Sequence, residues 1–291
     1  MPGHASVAIT LDKYSHVLPD MQGGPPPRWT TPFPGVAGKA AEEKVPLDGR
    51  RARIAEALLE CRLWNAFPYT EEEIVEVAHG LNIPRTLEEV CRPRRMALLV
   101  YDMQVGILSQ LPYGPEITQK VRGVLQAARE GGFPVFFSRH MSLPKELMGA
   151  FQLRQAMAWQ RTDRPEKVEP WFPRDSAQFQ IVPELEPLPS EAVSDKIAMS
   201  SFEGTFLNIA LRDLGIVSFA ICGVATEIGI EPTVRHGADL GYVPVVVTDA
   251  CGAGNEEAAR HSLELLGHAG DAFLTDSATI SALLRKPAAT V

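Results

Sequence analysis

The sequence predicts an α/β protein: a three-layer α/β/α domain with a six-stranded parallel sheet over residues 95–291, preceded by a short helical N-terminal extension. Apolar runs of strand length alternate with segments of helical periodicity along this part of the chain. The run at 243–247 is almost continuously apolar, which is typical of a parallel strand covered on both faces, whereas Pro244 removes a ladder donor and favours a strand start or an edge. Alternation of this kind indicates βαβ units with right-handed crossovers.

The individual elements are assigned from the apolar periodicity and its breaks. Strands are predicted at 96–101, 134–138, 193–198, 217–222, 243–248 and 271–274. Helices are predicted near 116–131, 145–159, 204–214, 227–240, 255–267 and 276–285. The segment 160–192 is rich in Pro and Glu and is too long for a plain connection, so we expect a loop over or beside a functional site.

The N-terminal part divides by composition into two segments. Residues 1–47 end in a Pro- and Gly-rich stretch that is typical of an extended linker. Within 48–94, apolar residues at helical spacing predict an amphipathic helix over 50–64. Thr70, as a cap before three Glu residues, predicts a second helix that ends at Gly80. We expect this helical extension to pack on the main domain or on a neighbouring subunit.

Composition and charge argue against several classes of protein. The 291 residues are enough for one large domain with extensions. A formal net charge of −8 argues against nucleic-acid binding as the main role. No apolar run approaches the roughly 18 residues of a membrane span, and no signal peptide is evident.

Cysteine usage indicates the compartment. The chain has four cysteines, Cys61, Cys91, Cys222 and Cys251, whose spacing fits neither a metal site nor a disulfide framework. Reduced thiols in a cytoplasmic protein are therefore expected. We further expect a small-molecule substrate, no nucleic-acid or membrane partner, no cofactor, and assembly into a homo-oligomer, either a dimer or a tetramer.

Polar residues stand at or near the ends of three predicted strands. Asp102 follows the first strand, Lys196 lies near the end of the third, and the turn from Gly223 to Gly229 follows the fourth. In open parallel sheets, ligands bind beyond the carboxyl ends of the strands, so the three should converge on one site. Taken singly, Asp102 could be a turn or cap residue and Lys196 a surface lysine.

Four blocks of sequence resemble the isochorismatase-like hydrolases, the superfamily of nicotinamidases, N-carbamoylsarcosine amidases and isochorismatases. The blocks occur in the family's order, at 96–104, 195–207, 221–230 and 241–250. The resemblance implies a sheet of strand order 3-2-1-4-5-6, a catalytic aspartate at Asp102 and a catalytic lysine at Lys196. It also implies a cis peptide bond between Val224 and Ala225.

The third block departs from the family at its most important position. Most members carry a nucleophilic cysteine in this turn, whereas the present chain has Gly229. The resemblance therefore implies Asp102, Lys196 and Gly229 as the catalytic positions. It also implies a set of substrate-binding positions: Gln104, Val224, Ala225, Thr226 and Ile228. The Asp-x-His pair that binds a metal in nicotinamidases does not occur, so no metal ligands are predicted.

Three functions remain open at this point. True isochorismatases resemble the chain in having glycine at position 229, and they cleave a vinyl ether without a covalent intermediate. At Ala225, Thr226 and Glu227, however, the chain resembles the motif of the amidases instead. The leading hypothesis is a hydrolase in which Asp102 is the general acid/base, Lys196 its electrostatic partner, and backbone N–H groups around Gly229 hold an oxygen. The alternatives are a binding or structural member without catalysis, and an amide or ureide hydrolase with a displaced thiol.

The remaining candidates have more ordinary interpretations. Cys222 lies within a predicted strand and is expected to be a buried structural residue, and Cys251 could approach the rim of the site. Glu227 stands in the first turn of a predicted helix, where capping is the expected role. His140 and His236 are expected to be surface or core histidines.

The first 23 residues resemble a different family. The stretch from Gly3 to Leu18 resembles the C-terminal end of phage-type tyrosine recombinases, with Tyr14 at the nucleophile position and His4 as an active-site histidine. The arginine-bearing blocks of a recombinase do not occur, and a lone Tyr and His cannot supply a cationic phosphate clamp. We interpret the segment as a remnant of a gene fusion or of a start codon placed too far upstream; a recruited functional arm is the alternative.

Overall fold

The computed structural model describes residues 76–78 and 80–286, with side chains from residue 80 onwards. All of them belong to one compact unit, Pro68–Val291. The predicted remnant and linker at 1–47 and the predicted helix at 50–64 lie outside the described residues and stay predictions.

A short antiparallel hairpin precedes the main sheet and corrects one expectation. Strands β1 (Glu76–Ala78) and β2 (Leu81–Ile83) pair with Ala78 opposite Leu81, whereas the sequence predicted that a helix would extend to Gly80. Gly80 has φ +79, a conformation that suits a tight turn between two strands. The turn at Gly80 therefore prevails over the acidic cap signal that predicted a helix.

Six parallel strands form the main sheet. In chain order they are β3 (Met96–Tyr101), β4 (Val135–His140), β5 (Ala192–Lys196), β6 (Ser218–Val224), β7 (Val243–Gly252) and β8 (Phe273–Thr275). Their spatial order is β5-β4-β3-β6-β7-β8, which is the predicted 3-2-1-4-5-6 arrangement. The carboxyl ends of β3, β4, β5 and β6 therefore meet at one edge of the sheet.

Eight α-helices accompany these strands in the described part of the chain. They are α1 (Leu87–Val90), α2 (Val105–Leu108), α3 (Gly114–Glu130), α4 (Ala150–Trp159), α5 (Leu207–Asp213), α6 (Glu231–Asp239), α7 (Glu256–Ala269) and α8 (Ser277–Leu284). The helix predicted from 227 differs at its start: Thr226–Ile230 forms a π turn, and α6 follows it.

The helices cover both faces of the sheet, which confirms the three layers. One apolar core joins even-numbered residues of β3, such as Leu98 and Val100, to α3 and α8. The other core joins odd-numbered residues, such as Leu99 and Tyr101, to α5, α6 and α7. Because successive strand residues point to opposite faces, Tyr101 and Asp102 leave β3 in different directions.

The long segment 160–192 lies beside the strand ends, as its composition led us to expect. It contains three short 3₁₀ turns: Pro165–Lys167, Ala177–Phe179 and Pro183–Leu185. Ile181 forms a bridge with Gln104, and the Trp171 ring stacks against His140 with centroids 6.2 Å apart. This segment therefore contacts the carboxyl ends of both β3 and β4.

Among residues 76–78 and 80–286, no helix has the length and apolar character needed to cross a membrane.

Candidate active site at the strand ends

The structure brings Asp102 and Lys196 into direct contact. Asp102 follows the last residue of β3 with φ +47, and Lys196 is the last residue of β5. The Lys196 Nζ lies 2.7 Å from Asp102 Oδ2, and the side chains are 0% and 5% exposed. Ion pairs of this kind rarely lie fully out of water unless further hydrogen bonds hold them.

Those further hydrogen bonds come from the strand between them, from the last residue of β3 and from the loop that follows β5. Ser138 of β4 donates its hydroxyl to Asp102 Oδ1 at 2.6 Å. Lys196 Nζ also donates to Tyr101 Oη at 2.9 Å and to the Ala198 carbonyl at 3.2 Å. Burial lowers the pKa of Lys196, and the carboxylate of Asp102 opposes that shift by stabilising the ammonium form.

The turn after β6 has the predicted cis peptide bond between Val224 and Ala225. The carbonyl of Ala225 then accepts the backbone N–H groups of Gly229 and Ile230, at 3.0 and 3.1 Å. The N–H of Gly229 is therefore committed to the turn, which counts against its predicted role of holding a substrate oxygen. In a turn that begins a helix, the backbone N–H groups free to bind a ligand are those of the first residues, which lie before Gly229 here, because those N–H groups have no acceptor within the helix.

Position 229 has no room for a side chain. A Cβ added to Gly229 would lie 2.6 Å from Cε1 of Tyr101 and closer still to its hydroxyl oxygen. Tyr101 is almost fully buried and donates its hydroxyl to the Met199 carbonyl. The phenol group of a β3 residue thus fills the space where a cysteine at position 229 would begin.

The predicted substrate-binding residues do not form one surface. The Gln104 side chain is fully buried, where its amide nitrogen donates to the carbonyls of His140 and Phe179 and its oxygen accepts the His140 N–H. Gln104 therefore holds β3, β4 and the long segment together. Thr226 is also buried and donates its hydroxyl to Gly252, whereas Ile228 is 38% exposed.

His140, which the sequence led us to expect as a surface or core histidine, is buried next to Lys196. It ends β4 in register with Lys196 on β5, and it is buried although neither ring nitrogen forms a hydrogen bond of regular geometry. Burial, with the neighbouring Lys196 charge, lowers the pKa of His140 to about 4, so the ring is neutral at pH 7. The strand-end rule that selected Asp102 and Lys196 also applies to His140.

The buried neutral ring of His140 predicts a loss of stability in mild acid. The unfolded chain binds a proton at this histidine below about pH 6.5, whereas the folded chain does so only below about pH 4. This difference should remove about 3 kcal/mol of the free energy of unfolding as the pH falls through that window. The free energy of unfolding, measured with urea at several pH values, should fall less steeply in acid for His140→Leu than for the wild type. The control is His268→Leu, which alters an exposed histidine and should show the same fall as the wild type. Equal slopes for both variants would refute the assignment.

The other polar candidates have structural partners. Glu227 Oε1 accepts the backbone N–H of Asn255, the residue that caps α7, so it stabilises the start of a different helix from the one predicted. His236 Nδ1 lies 2.9 Å from the Ser200 hydroxyl. Among the described residues, no group of three or more His, Cys, Asp or Glu side chains is placed to hold a metal ion.

Comparison with known proteins identifies similar sequences. Residues 96–278 match the family described as the Isochorismatase domain. An uncharacterized isochorismatase family protein of Escherichia coli O157:H7, YecD, is 33% identical over 57% of this chain and 85% of its own. The ureidoacrylate amidohydrolase RutB of Pseudomonas savastanoi pv. phaseolicola is 30% identical over 55% of this chain and 71% of its own.

Solved structures show the same fold. An isochorismatase family protein from Burkholderia thailandensis superimposes with a TM-score of 0.56 at 26% identity, covering 66% of this chain and 97% of the other. A family member from Desulfovibrio vulgaris gives a TM-score of 0.56 at 23% identity, covering 66% of this chain and 100% of its own.

Proposed function

Because the chain belongs to the isochorismatase family of hydrolases, we propose that it hydrolyses a small metabolite by direct attack of water, without a cysteine nucleophile. The observation that carries the proposal is the buried Asp102–Lys196 pair beside a turn in which Gly229 has no side chain and Tyr101 fills the vacant space. The acid–base group of the site is intact, whereas a covalent intermediate has no residue at position 229 on which to form.

In this mechanism Asp102 transfers the proton. Its carboxylate accepts a proton from a water molecule as the water oxygen bonds to the substrate carbon, and it returns that proton to the leaving nitrogen or oxygen as the bond from carbon breaks. Lys196 stabilises the negative charge that develops nearby, and its own hydrogen bonds hold it in position before the reaction. One water molecule is consumed for each bond broken.

The cysteines give little support to the alternative of a displaced thiol. Cys222 is fully buried in the core on the opposite face of the sheet from Tyr101, and burial raises its pKa to about 12. Cys251 is only half-buried as a residue, but its Sγ lies against the Ile221 carbonyl, and burial of the thiol raises its pKa well above the usual value. A thiol with so high a pKa is almost entirely protonated at pH 7, and the protonated form is a poor nucleophile.

The test is a panel of small amides, ureides and vinyl ethers, with the purified chain compared before and after alkylation by iodoacetamide at pH 7. Ureides are included because a relative of 30% identity is named a ureidoacrylate amidohydrolase. We expect turnover of at least one class, with kcat changed less than about twofold by alkylation. Inactivation that follows the modification of one cysteine would overturn the mechanism in favour of a displaced thiol.

A second candidate is a binding protein that has lost catalysis. It is favoured by one observation: all three donors of the Lys196 ammonium group are used within the protein, on Asp102, Tyr101 and Ala198. A panel in which no compound is turned over, while one of them raises the Tm of the protein, would support this candidate. Assembly into a dimer or tetramer in the cytoplasm stays part of the proposal in either case.

A further inference from the structure

We propose that Tyr101 has taken over the position of the missing nucleophile side chain, and that its hydroxyl is the hydrogen-bond donor that meets the substrate above Asp102 and Lys196. The proposal rests on the proposed hydrolysis and adds a catalytic residue to it. Tyr101 belongs to β3 and Gly229 to the turn after β6, and the two strands are neighbours in the sheet.

The first step of the argument is steric. Closest carbon–carbon contacts in proteins are well above the 2.6 Å that would separate a Cβ at position 229 from Tyr101 Cε1. The ring cannot withdraw easily, because it is packed in the core with residues such as Leu99 and Ile230 and lies under the Lys196 ammonium group at 4.4 Å. A tyrosine at position 101 and a side chain at position 229 therefore exclude each other.

The second step concerns what the hydroxyl can do. Lys196 donates to the Tyr101 oxygen at 2.9 Å, which leaves the tyrosine O–H as a donor, and this O–H now bonds to the Met199 carbonyl. Burial, together with the charge of Asp102, holds the pKa of Tyr101 well above its usual value, so the hydroxyl keeps its proton at neutral pH. A substrate oxygen that replaces the Met199 carbonyl would accept this hydrogen bond.

The third step concerns the place of the hydroxyl among the reacting groups. Lys196 Nζ contacts both the hydroxyl and Asp102, at 2.9 and 2.7 Å, so the donor and the acid–base group are held by one ammonium group. A donor fixed in this way stabilises an oxygen that gains negative charge when water attacks, and no proton leaves the tyrosine. Tyr101 acts as a donor only, which is consistent with its raised pKa.

The steric step is tested by a cycle of substitutions that needs no substrate. Gly229→Cys should lower the Tm by about 5 °C or more when Tyr101 is present, and by much less when it is added to Tyr101→Val or Tyr101→Leu. The control is Gly123→Cys on α3, where an added Cβ meets no atom within 4 Å. Equal effects of Gly229→Cys in the Tyr101 and Val or Leu backgrounds would overturn the proposal.

The chemical step is tested with Tyr101→Phe, which keeps the ring and removes only the hydroxyl. Turnover of the substrate found in the panel should fall about 100-fold. Tyr113→Phe is the matched control, because the Tyr113 hydroxyl also donates to a loop carbonyl, that of Ala253, and should leave turnover within about twofold. Full activity of Tyr101→Phe would overturn the donor role while leaving the proposed hydrolysis standing. A wild-type chain that turns over no compound would refute both the hydrolysis and the donor role, and the Tm cycle would still decide the steric exclusion.

Discussion

Replacement of Lys196 by Met is expected to lower the free energy of unfolding by about 3–5 kcal/mol. The Lys196 side chain is fully buried, and its loss leaves the Asp102 carboxylate out of water without a counter-charge. Urea unfolding at pH 7 measures the effect. The control is Arg285→Met, which breaks the half-exposed Arg285–Glu130 pair at 2.6 Å and should cost about 1 kcal/mol or less.

A second substitution separates the unpaired charge from lost packing. Adding Asp102→Asn to Lys196→Met removes the uncompensated carboxylate, so the double variant should be more stable than Lys196→Met alone. If the second change lowers the stability further, the cost of Lys196→Met comes from packing, and the electrostatic explanation is wrong.

Replacement of Asp102 by Asn is expected to reduce kcat by about 10²- to 10⁴-fold. Asn keeps the size of the side chain and can still accept a hydrogen bond from Ser138, but it cannot take up and return a proton. The measurement is steady-state turnover of the substrate identified in the panel, with the fold checked by thermal unfolding. Asp195→Asn is the matched control, because this carboxylate is next to Lys196 in sequence but pairs with Arg139 at 2.8 Å.

The control variant should keep kcat within about threefold of the wild type. Activity of Asp102→Asn close to that of the wild type would exclude Asp102 as the proton-transfer group. An equal loss in both variants would instead indicate a general effect of removing negative charge from the carboxyl edge of the sheet.

The fold could be predicted because its signal is local. Near-continuous apolar strands alternate with amphipathic helices, and each predicted strand of the sheet agrees with an observed one to within a few residues. The hairpin Glu76–Ile83 could not be predicted with the same rule, because three-residue strands are too short to show a period. The three glutamates that precede it, at 71–73, also match the start of a helix, and the turn at Gly80 decides between strand and helix.

The pairing of Asp102 with Lys196 could be predicted because strand ends in a parallel sheet meet at one edge, and the family resemblance names both positions. The roles of Gln104 and His140 could not be predicted in this way, because each role depends on the groups that surround the side chain in the folded protein. A glutamine can bind substrate in one environment and link structural elements in another. The hydrogen bonds of Gln104 to β4 and to the long segment favour the linking role.

The sequence by itself determined that this chain has the parallel sheet, an aspartate and a lysine at its edge, and no cysteine at position 229. Only the tertiary structure decided which group fills the space beside Gly229. In the sequence, Tyr101 is indistinguishable from the other residues of a buried apolar strand. In the structure, its hydroxyl reaches Gly229 because β3 and β6 are adjacent and in a register that sets Tyr101 opposite Gly223. Strand register and side-chain packing between distant segments have no local sequence signature. The steric exclusion between Tyr101 and a side chain at position 229 therefore could not be predicted from the sequence.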